Sequence, residues 1–469
     1  MLLSPIPLVV AVAFAAPAQI EEGARIAKRS VTGNAIVFLN TSTGAPQHLA
    51  SGLIYGEPDT ANQIPSQFYS DIDFNYGRAG GAQIPSPGLG WIWGLAEYEN
   101  RFTSALSNYK TTRQNGGKFV FLLHDLWGAD GSENSTAPFP GDDGDWSSWD
   151  EFLTTWISDM NANEATTGLV IDIWNEPDGI GFWKRTSAQW LQMWGRTYYR
   201  LRADFGVAEI SGPTLASPPS LTDTWWTDFM SFVKSNGSVP DQYAWHMESG
   251  GNDMQSAVAT WQTLLADAGL PQTGAVSINE YATYAEQVPC GGAWWIAQLE
   301  RVNAIGLRGN WLGTYALHDF LAGLLGKPNA GTSAYSATAT GYWPAAEFQV
   351  YKYYAQNMTG YRVQTTPTPD LNGDIYATVG TDKVRLLVGA RITTGTWGVL
   401  LEDMTAIGLP ASGTLEIQTW AFTGSSDHFA EVDAPTNLGI YGHEYTGGTL
   451  EFPIFQTDGY TAYAFEFAV

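Results

Sequence analysis

Two glutamates occupy places where a parallel-stranded fold builds its chemistry. The stretch Ile171-Asp172-Ile173-Trp174-Asn175-Glu176-Pro177 carries an apolar strand pattern over residues 169–175 into Glu176, and Pro177 stops it. A second run, Ala275-Val276-Ser277-Ile278-Asn279-Glu280, also ends on a carboxyl. By strand count the two sit on the fourth and seventh strands of a barrel and face each other across its mouth. Cleaving a glycosidic bond needs one carboxyl to protonate the departing oxygen and another to attack the anomeric carbon or activate water, with about 5 to 5.5 Å between them for retention. Mutual repulsion and unequal surroundings let one stay protonated while the other is ionised.

Other strand-end side chains point to the same region. Glu248 follows the sixth strand and is the rival nucleophile to Glu280. His124 and Asp125 end the third strand and are candidates for binding hydroxyls, and Glu57, before Pro58 at the end of the first, is a candidate rim or subsite residue. Trp127, Trp174 and Trp245 lie near strand ends, where one or two could stack on a sugar face; with 20 Trp and 22 Tyr, more than half are expected to be structural. The six His are scattered and none is paired at ligand spacing, so neither a metal nor a cofactor is expected.

The elements that must position these residues are legible as alternation. From residue 50 to 358 short apolar runs alternate with helical periods, the pattern of an α/β (β/α)₈ TIM barrel. The strand candidates are 53–56, 74–78, 118–125, 169–175, 209–212, 243–246, 275–280 and 308–311, and the run 119–123 is continuously apolar, as a strand buried on both faces must be. Leu95, Tyr98, Phe102, Leu106 and Tyr109 form one helical stripe; Trp149, Phe152, Leu153, Trp156, Ile157 and Met160 form another; a helix over 343–358 closes the eighth unit. Residues 359–469 switch to strand alternation, as in 374–379, 383–388, 414–419 and 463–467, which predicts an appended antiparallel β-sandwich; residues 30–49, through a strand at 35–39, are expected to join it. The long loops 129–145 and 327–341, after the third and eighth strands, are expected to wall the site.

Composition narrows the setting. The formal net charge of −25 repels phosphate backbones and anionic membranes, so nucleic acid and membrane are not expected partners. Residues 1–18 resemble a signal peptide ending in Ala16-Pro17-Ala18, and the dibasic Lys28-Arg29 suggests a propeptide over 19–29 and a secreted, extracellular protein beginning at Ser30. Asn40, Asn134, Asn236 and Asn357 each open an N-x-[ST] sequon for N-glycans. Cys290 is the sole cysteine, so no intrachain disulfide forms, and it reads as a small buried hydrophobe.

The Asn175-Glu176-Pro177 ending of strand four resembles clan A of the glycoside hydrolases across most of residues 50–355. The resemblance implies that Glu176 is the acid/base, Asn175 holds the hydroxyl beside the reacting carbon, and Glu280 is the nucleophile. It also implies that Arg78, ending the second strand, keeps the nucleophile ionised, that His246 packs against it from strand six, and that Trp311 floors the sugar site. A sandwich built from both chain ends is most similar to family 39, with families 30, 51 and 79 as rivals; family 39 mixes β-xylosidases, iduronidases and other enzymes. The implied reaction is hydrolysis of plant or microbial polysaccharides or oligosaccharides with retention, through a covalent glycosyl-enzyme, β-xylosidase-like and exo-acting first. A non-catalytic carbohydrate-binding barrel and a transglycosylase are the alternatives. The stretch 314–320 and the long third loop match no pattern of that clan.

Overall fold

The computed structural model describes residues 32–131, 133, 136–179, 181–206, 208–248 and 253–469. The expected signal peptide and propeptide and the sequon residue Asn134 lie outside them.

The chain opens with strand β1 (Asn34–Gly44) and then enters the barrel. Its eight strands, β2 (Gly52–Ile54), β3 (Tyr76–Ala79), β4 (Lys118–Leu122), β5 (Leu169–Asp172), β6 (Glu209–Leu215), β7 (Gln242–Met247), β8 (Ala275–Tyr281) and β9 (Ile305–Arg308), pair parallel and close on themselves. The helices between them are α1 (Ser66–Asp71), α2 (Leu95–Gln114), α3 (Leu123–Trp127), α4 (Ser147–Ala162), α5 (Ser187–Asp204), α6 (Thr224–Asn236), α7 (Met254–Asp267), α8 (Pro289–Val302) and α9 (Ala346–Gln356). No described helix is long and apolar enough to cross a membrane.

All six stripe residues of α4 are buried, as the 3.6-residue period requires, and so are Tyr98, Phe102, Leu106 and Tyr109 of α2. Leu95 is exposed because it is the first residue of α2, ahead of the turn that faces the sheet. Thirteen of the twenty tryptophans are buried, so most of these rings are structural.

Several strand ends differ from their sequence expectation. Leu123, expected at the end of a strand over 118–125, instead starts α3, so His124 and Asp125 reach the mouth from a one-turn helix capped by left-handed Gly128. The fourth strand ends at Asp172, and the fifth runs on to Leu215, where the chain shifts register against β7. The eighth is 305–308 instead of 308–311: pairing of Leu307 with Gly52 sets its register, and Trp311 stands beyond the strand. Residues 343 and 344 pair as strand β11 (Trp343–Pro344) with β10 (Leu325–Gly326), delaying the last helix to Ala346.

The remaining strands, β12 (Tyr361–Thr366), β13 (Gly373–Val379), β14 (Lys383–Ala390), β15 (Gly395–Glu402), β16 (Gly413–Phe422), β17 (Thr436–Tyr445), β18 (Leu450–Gln456) and β19 (Ala462–Ala468), form with β1 one nine-stranded sheet that wraps a second core. Its pairs are antiparallel except β1 with β15, which run parallel because β1 arrives from the far end of the chain. Strand alternation serves two cores. In β13, Ile375, Ala377 and Val379 fill the sandwich while Tyr376 joins the barrel core; in β14, Leu386 and Val388 face the sandwich while Leu387 faces the barrel. Helix α8 lies between them and is buried continuously from Pro289 to Glu300, Cys290 included, because both of its sides are covered.

Candidate active site

At the C-terminal ends of the barrel strands a cavity of about 390 Å³ opens, within the size range of small-ligand pockets. Glu176 and Glu280 both line it. The loop after β5 holds Glu176 with a left-handed backbone (φ 43), a conformation disfavoured for a residue with a side chain, and pins it by its own N–H to the Thr214 carbonyl at 2.8 Å. Glu280 is the penultimate residue of β8.

One buried imidazole joins the two carboxyls. His246 Nδ1 lies 2.8 Å from Glu176 Oε1, and its Nε2 lies 3.7 Å from Glu280 Oε1. Arg78, 1% exposed, spans the floor: Nη1 donates to Glu280 Oε1 at 2.7 Å, Nη2 to Asn175 Oδ1 at 2.6 Å and to Asp172 Oδ2 at 3.0 Å. Asp172 also accepts from Thr214 at 2.9 Å and from Asn279 at 2.9 Å, which locks strands β5, β6 and β8 to the arginine of β3.

These contacts set the charges. Burial alone would raise the pKa of Glu280, but the His246 and Arg78 cations beside it prevail and hold its carboxyl well below the usual carboxylate range. For His246, burial opposes the proton while Glu280 and Glu176 favour it, and the net direction is upward. Burial pushes Asp172 up despite Arg78 and Thr214. Glu248, the third carboxyl on the cavity, is pushed far up by burial and then by the charge of Glu280.

The cavity brings together Glu176, Glu280, Asn175, His124, Asp125 and Trp311, with Arg78 and His246 directly behind them. Trp311, 41% exposed, lines the cavity and is anchored by its indole N–H on the Ala282 carbonyl at 3.0 Å.

Other expected site residues lie elsewhere. Glu57 is buried behind β3, accepting from Thr112 at 2.6 Å, because a Gly at position 77 leaves room for it between strand and helix α2. Trp127 points outward from α3 and packs on Trp149 and Phe152, with its N–H on the Pro138 carbonyl. Trp174 packs on Trp183, and Trp245 on Trp226, both buried. In their place Tyr55, Phe182 and Asp130 line the cavity. Tyr55, which donates to Asp125, was legible as a strand-end residue of β2; Asp130, held by Arg101 at 3.0 Å, and Phe182 come from loops whose path no periodicity encodes. The stretch after β9 contributes Asn310, Trp311, Leu312 and Leu317 to the lining, and in the 3₁₀ turn at Thr314–Ala316 the Thr314 N–H donates to Gln83 Oε1 at 3.0 Å.

One triad, Glu176, His246 and Glu248, offers atoms within 4.8 Å of one another that could hold a cation. Inside it His246 Nδ1 already pairs with Glu176 Oε1 at 2.8 Å. The wider arrangement sets two carboxyls on one sugar-sized cavity, both against His246 and only Glu280 against Arg78.

No protein-family model matches the chain, and no curated protein matches it in sequence. Solved structures do. A protein from Neocallimastix frontalis matches at 20% identity and a TM-score of 0.71, over 93% of this chain and 99% of that one. A glycoside hydrolase family 39 β-xylosidase from Caulobacter crescentus matches at 14% identity and a TM-score of 0.56, over 92% and 99%. A family 30 endoxylanase from Clostridium papyrosolvens matches at 14% and 0.54, over 93% and 100%. At these identities the likeness establishes architecture alone: the chain shares the barrel-and-sandwich fold of these family 39 and family 30 structures.

Proposed function

We propose that the protein is a secreted, retaining, exo-acting glycoside hydrolase. The observation that carries this reading is the pair Glu176 and Glu280 on opposite nitrogens of the buried His246, with Arg78 bound to Glu280 alone of the two. That asymmetry assigns Glu280 as the nucleophile and leaves Glu176 as the acid/base. Glu280 attacks the anomeric carbon as Glu176 protonates the departing oxygen, giving a glycosyl ester. Glu176 then takes a proton from water, whose oxygen displaces Glu280 with a second inversion. Asn175, fixed by Arg78, is placed to hold the neighbouring hydroxyl, and Trp311 to stack on the ring.

The glycone is a neutral sugar. The described cavity lining holds Asp125, Asp130, Glu176, Glu248 and Glu280 but no Lys or Arg, so a uronate carboxylate would meet no cationic partner there. This favours a β-xylosidase-like activity, the activity named for the Caulobacter structure, over cleavage of uronides. Gln83 on the cavity lining is bound by the Thr314 N–H of the 3₁₀ turn, and this tie at the cavity edge favours removal of terminal residues. Export fits the exposed sequon residues Asn40, Asn236 and Asn357. N-terminal sequencing of secreted protein should begin at Ser30, and glycosidase treatment should lower its mass.

The decisive test separates the two carboxyls. Glu176→Gln should abolish cleavage of substrates with poor leaving groups and spare activated aryl glycosides; equal loss on both would reject it as the acid. Glu280→Ala should stop both, with azide restoring turnover and giving a product of inverted configuration.

A further inference from the structure

The two-carboxyl mechanism leaves Glu248 without a task. This residue follows β7 two positions after His246, and strand alternation turns both side chains toward the barrel mouth. Its carboxyl lies within 4.8 Å of ligand atoms of both Glu176 and His246, and it is in hydrogen-bond contact with Glu280. Its Oε1 is buried without a partner, and the side chain lines the cavity.

Two carboxyls hydrogen-bond to each other only if one of them keeps a proton. The groups around them decide which. Arg78 from β3 binds Glu280 at 2.7 Å, and His246 stands 3.7 Å from the same oxygen. Glu248 faces Glu280 from β8 and Glu176 from the loop after β5, and among described residues it has no cation in ion-pair contact. Tyr55 after β2, His124 and Asp125 of α3 and Asp130 beyond it are the other titratable side chains lining the described cavity. The proton therefore belongs to Glu248. Burial and the two neighbouring carboxyls act in the same direction on its pKa.

We propose that Glu248 is a positioning residue for the nucleophile: its carboxyl donates a hydrogen bond to the Glu280 carboxylate and fixes the orientation from which Glu280 attacks. The idea rests on Glu280 being that nucleophile. No proton moves through Glu248. As Glu280 bonds to the anomeric carbon and the leaving group departs with the proton of Glu176, the Glu248 proton stays in place, and it is there again to bind the carboxylate released when water opens the ester.

The experiment first traps the intermediate of the wild-type enzyme with a 2-deoxy-2-fluoro aryl glycoside and finds the labelled peptide by mass. A label on Glu280 upholds the underlying reading; a label on Glu248 overturns it and the proposal together. Glu248→Ala and Glu248→Gln are then compared by the pH profile of kcat/KM on the aryl glycoside the wild type cleaves fastest. Loss of a donor destabilises ionised Glu280, so Glu248→Ala should lower kcat/KM by about 10- to 100-fold and move the acid limb up by about one pH unit. Glu248→Gln keeps a neutral donor and should lose under about 5-fold with its acid limb in place. An unmoved limb in Glu248→Ala, azide rescue of that variant, or equal damage in both variants overturns the proposal. If the Ala variant does not fold, Glu248→Ser serves in its place, since its hydroxyl is too short to reach Glu280.

Discussion

At the scale of single residues, one guanidinium does several things at once. Arg78 neutralises Asp172, orients Asn175 and keeps Glu280 ionised, through donors whose fixed fork a lysine does not have. Arg78→Lys should keep the fold but lower kcat/KM by about 100-fold, since a single ammonium cannot hold three acceptors in place. Its charge also withdraws from Glu280, whose pKa then rises, so the acid limb of the profile should move to higher pH. A profile unchanged in shape and height would remove Arg78 from the site. The acidic lining makes a second demand: an aryl β-xyloside should be cleaved at least about 100-fold faster than the matching aryl glucuronide, and a faster glucuronide would overturn the neutral-sugar reading.

Elements carry their own tests. Helix α7 is N-capped by Asp253, whose carboxylate accepts from the N–H groups of Gln255 and Ser256 at 3.2 and 3.0 Å. Asp253→Ala should cost about 1 kcal/mol in urea unfolding, with little change in activity. Behind β3, burial pushes Glu57 up to about 8, against an ordinary carboxyl near 4.5, and its Oε1 has no partner. The folded protein therefore binds a proton that the unfolded chain releases above about pH 4.5, so this residue costs stability increasingly from there to about pH 8. Glu57→Gln removes the titration. It should match the wild type near pH 4 and exceed it by on the order of 1–3 kcal/mol at pH 8; a difference independent of pH would show that Glu57 is not buried as a carboxylic acid.

Over the whole molecule, barrel and sandwich share surfaces that neither can expose. Gly389 of β14 lies against α8 so closely that an added Cβ would stand 2.2 Å from the Trp294 nitrogen and 2.5 Å from the Cys290 carbonyl. Arg301 of α8 donates to Asp374 of β13 at 2.9 Å, and Glu300 pairs with Arg362 of β12 at 2.7 Å. Gly389→Ala should destabilise by about 2–3 kcal/mol and Asp374→Asn by about 3–5 kcal/mol, the latter because it strands a largely buried guanidinium. Both should lower the single unfolding midpoint seen by denaturant titration. Two separate transitions, one of them unaffected, would mean that the two cores are not coupled.

Much of this was written in the sequence because period and burial are local properties: α4 and β4 must show 3.6-residue and continuous apolar patterns wherever they pack. Strands β5 and β8 were legible for the same reason, although β5 stops at Asp172, short of the expected residue 175, and Glu176 and Glu280 were read from them. Direction beyond a strand end is not local. Glu57 and Tyr55 both sit at the end of β2, yet only Tyr55 reaches the cavity, because the room left by Gly77 receives the carboxyl of Glu57 behind the sheet. Trp127 and Asp125 share one turn of α3 and point to opposite sides. Which carboxyl is charged was likewise settled only in three dimensions, since the field at Glu280 comes from Arg78 and His246, far from it in sequence and adjacent to it in space.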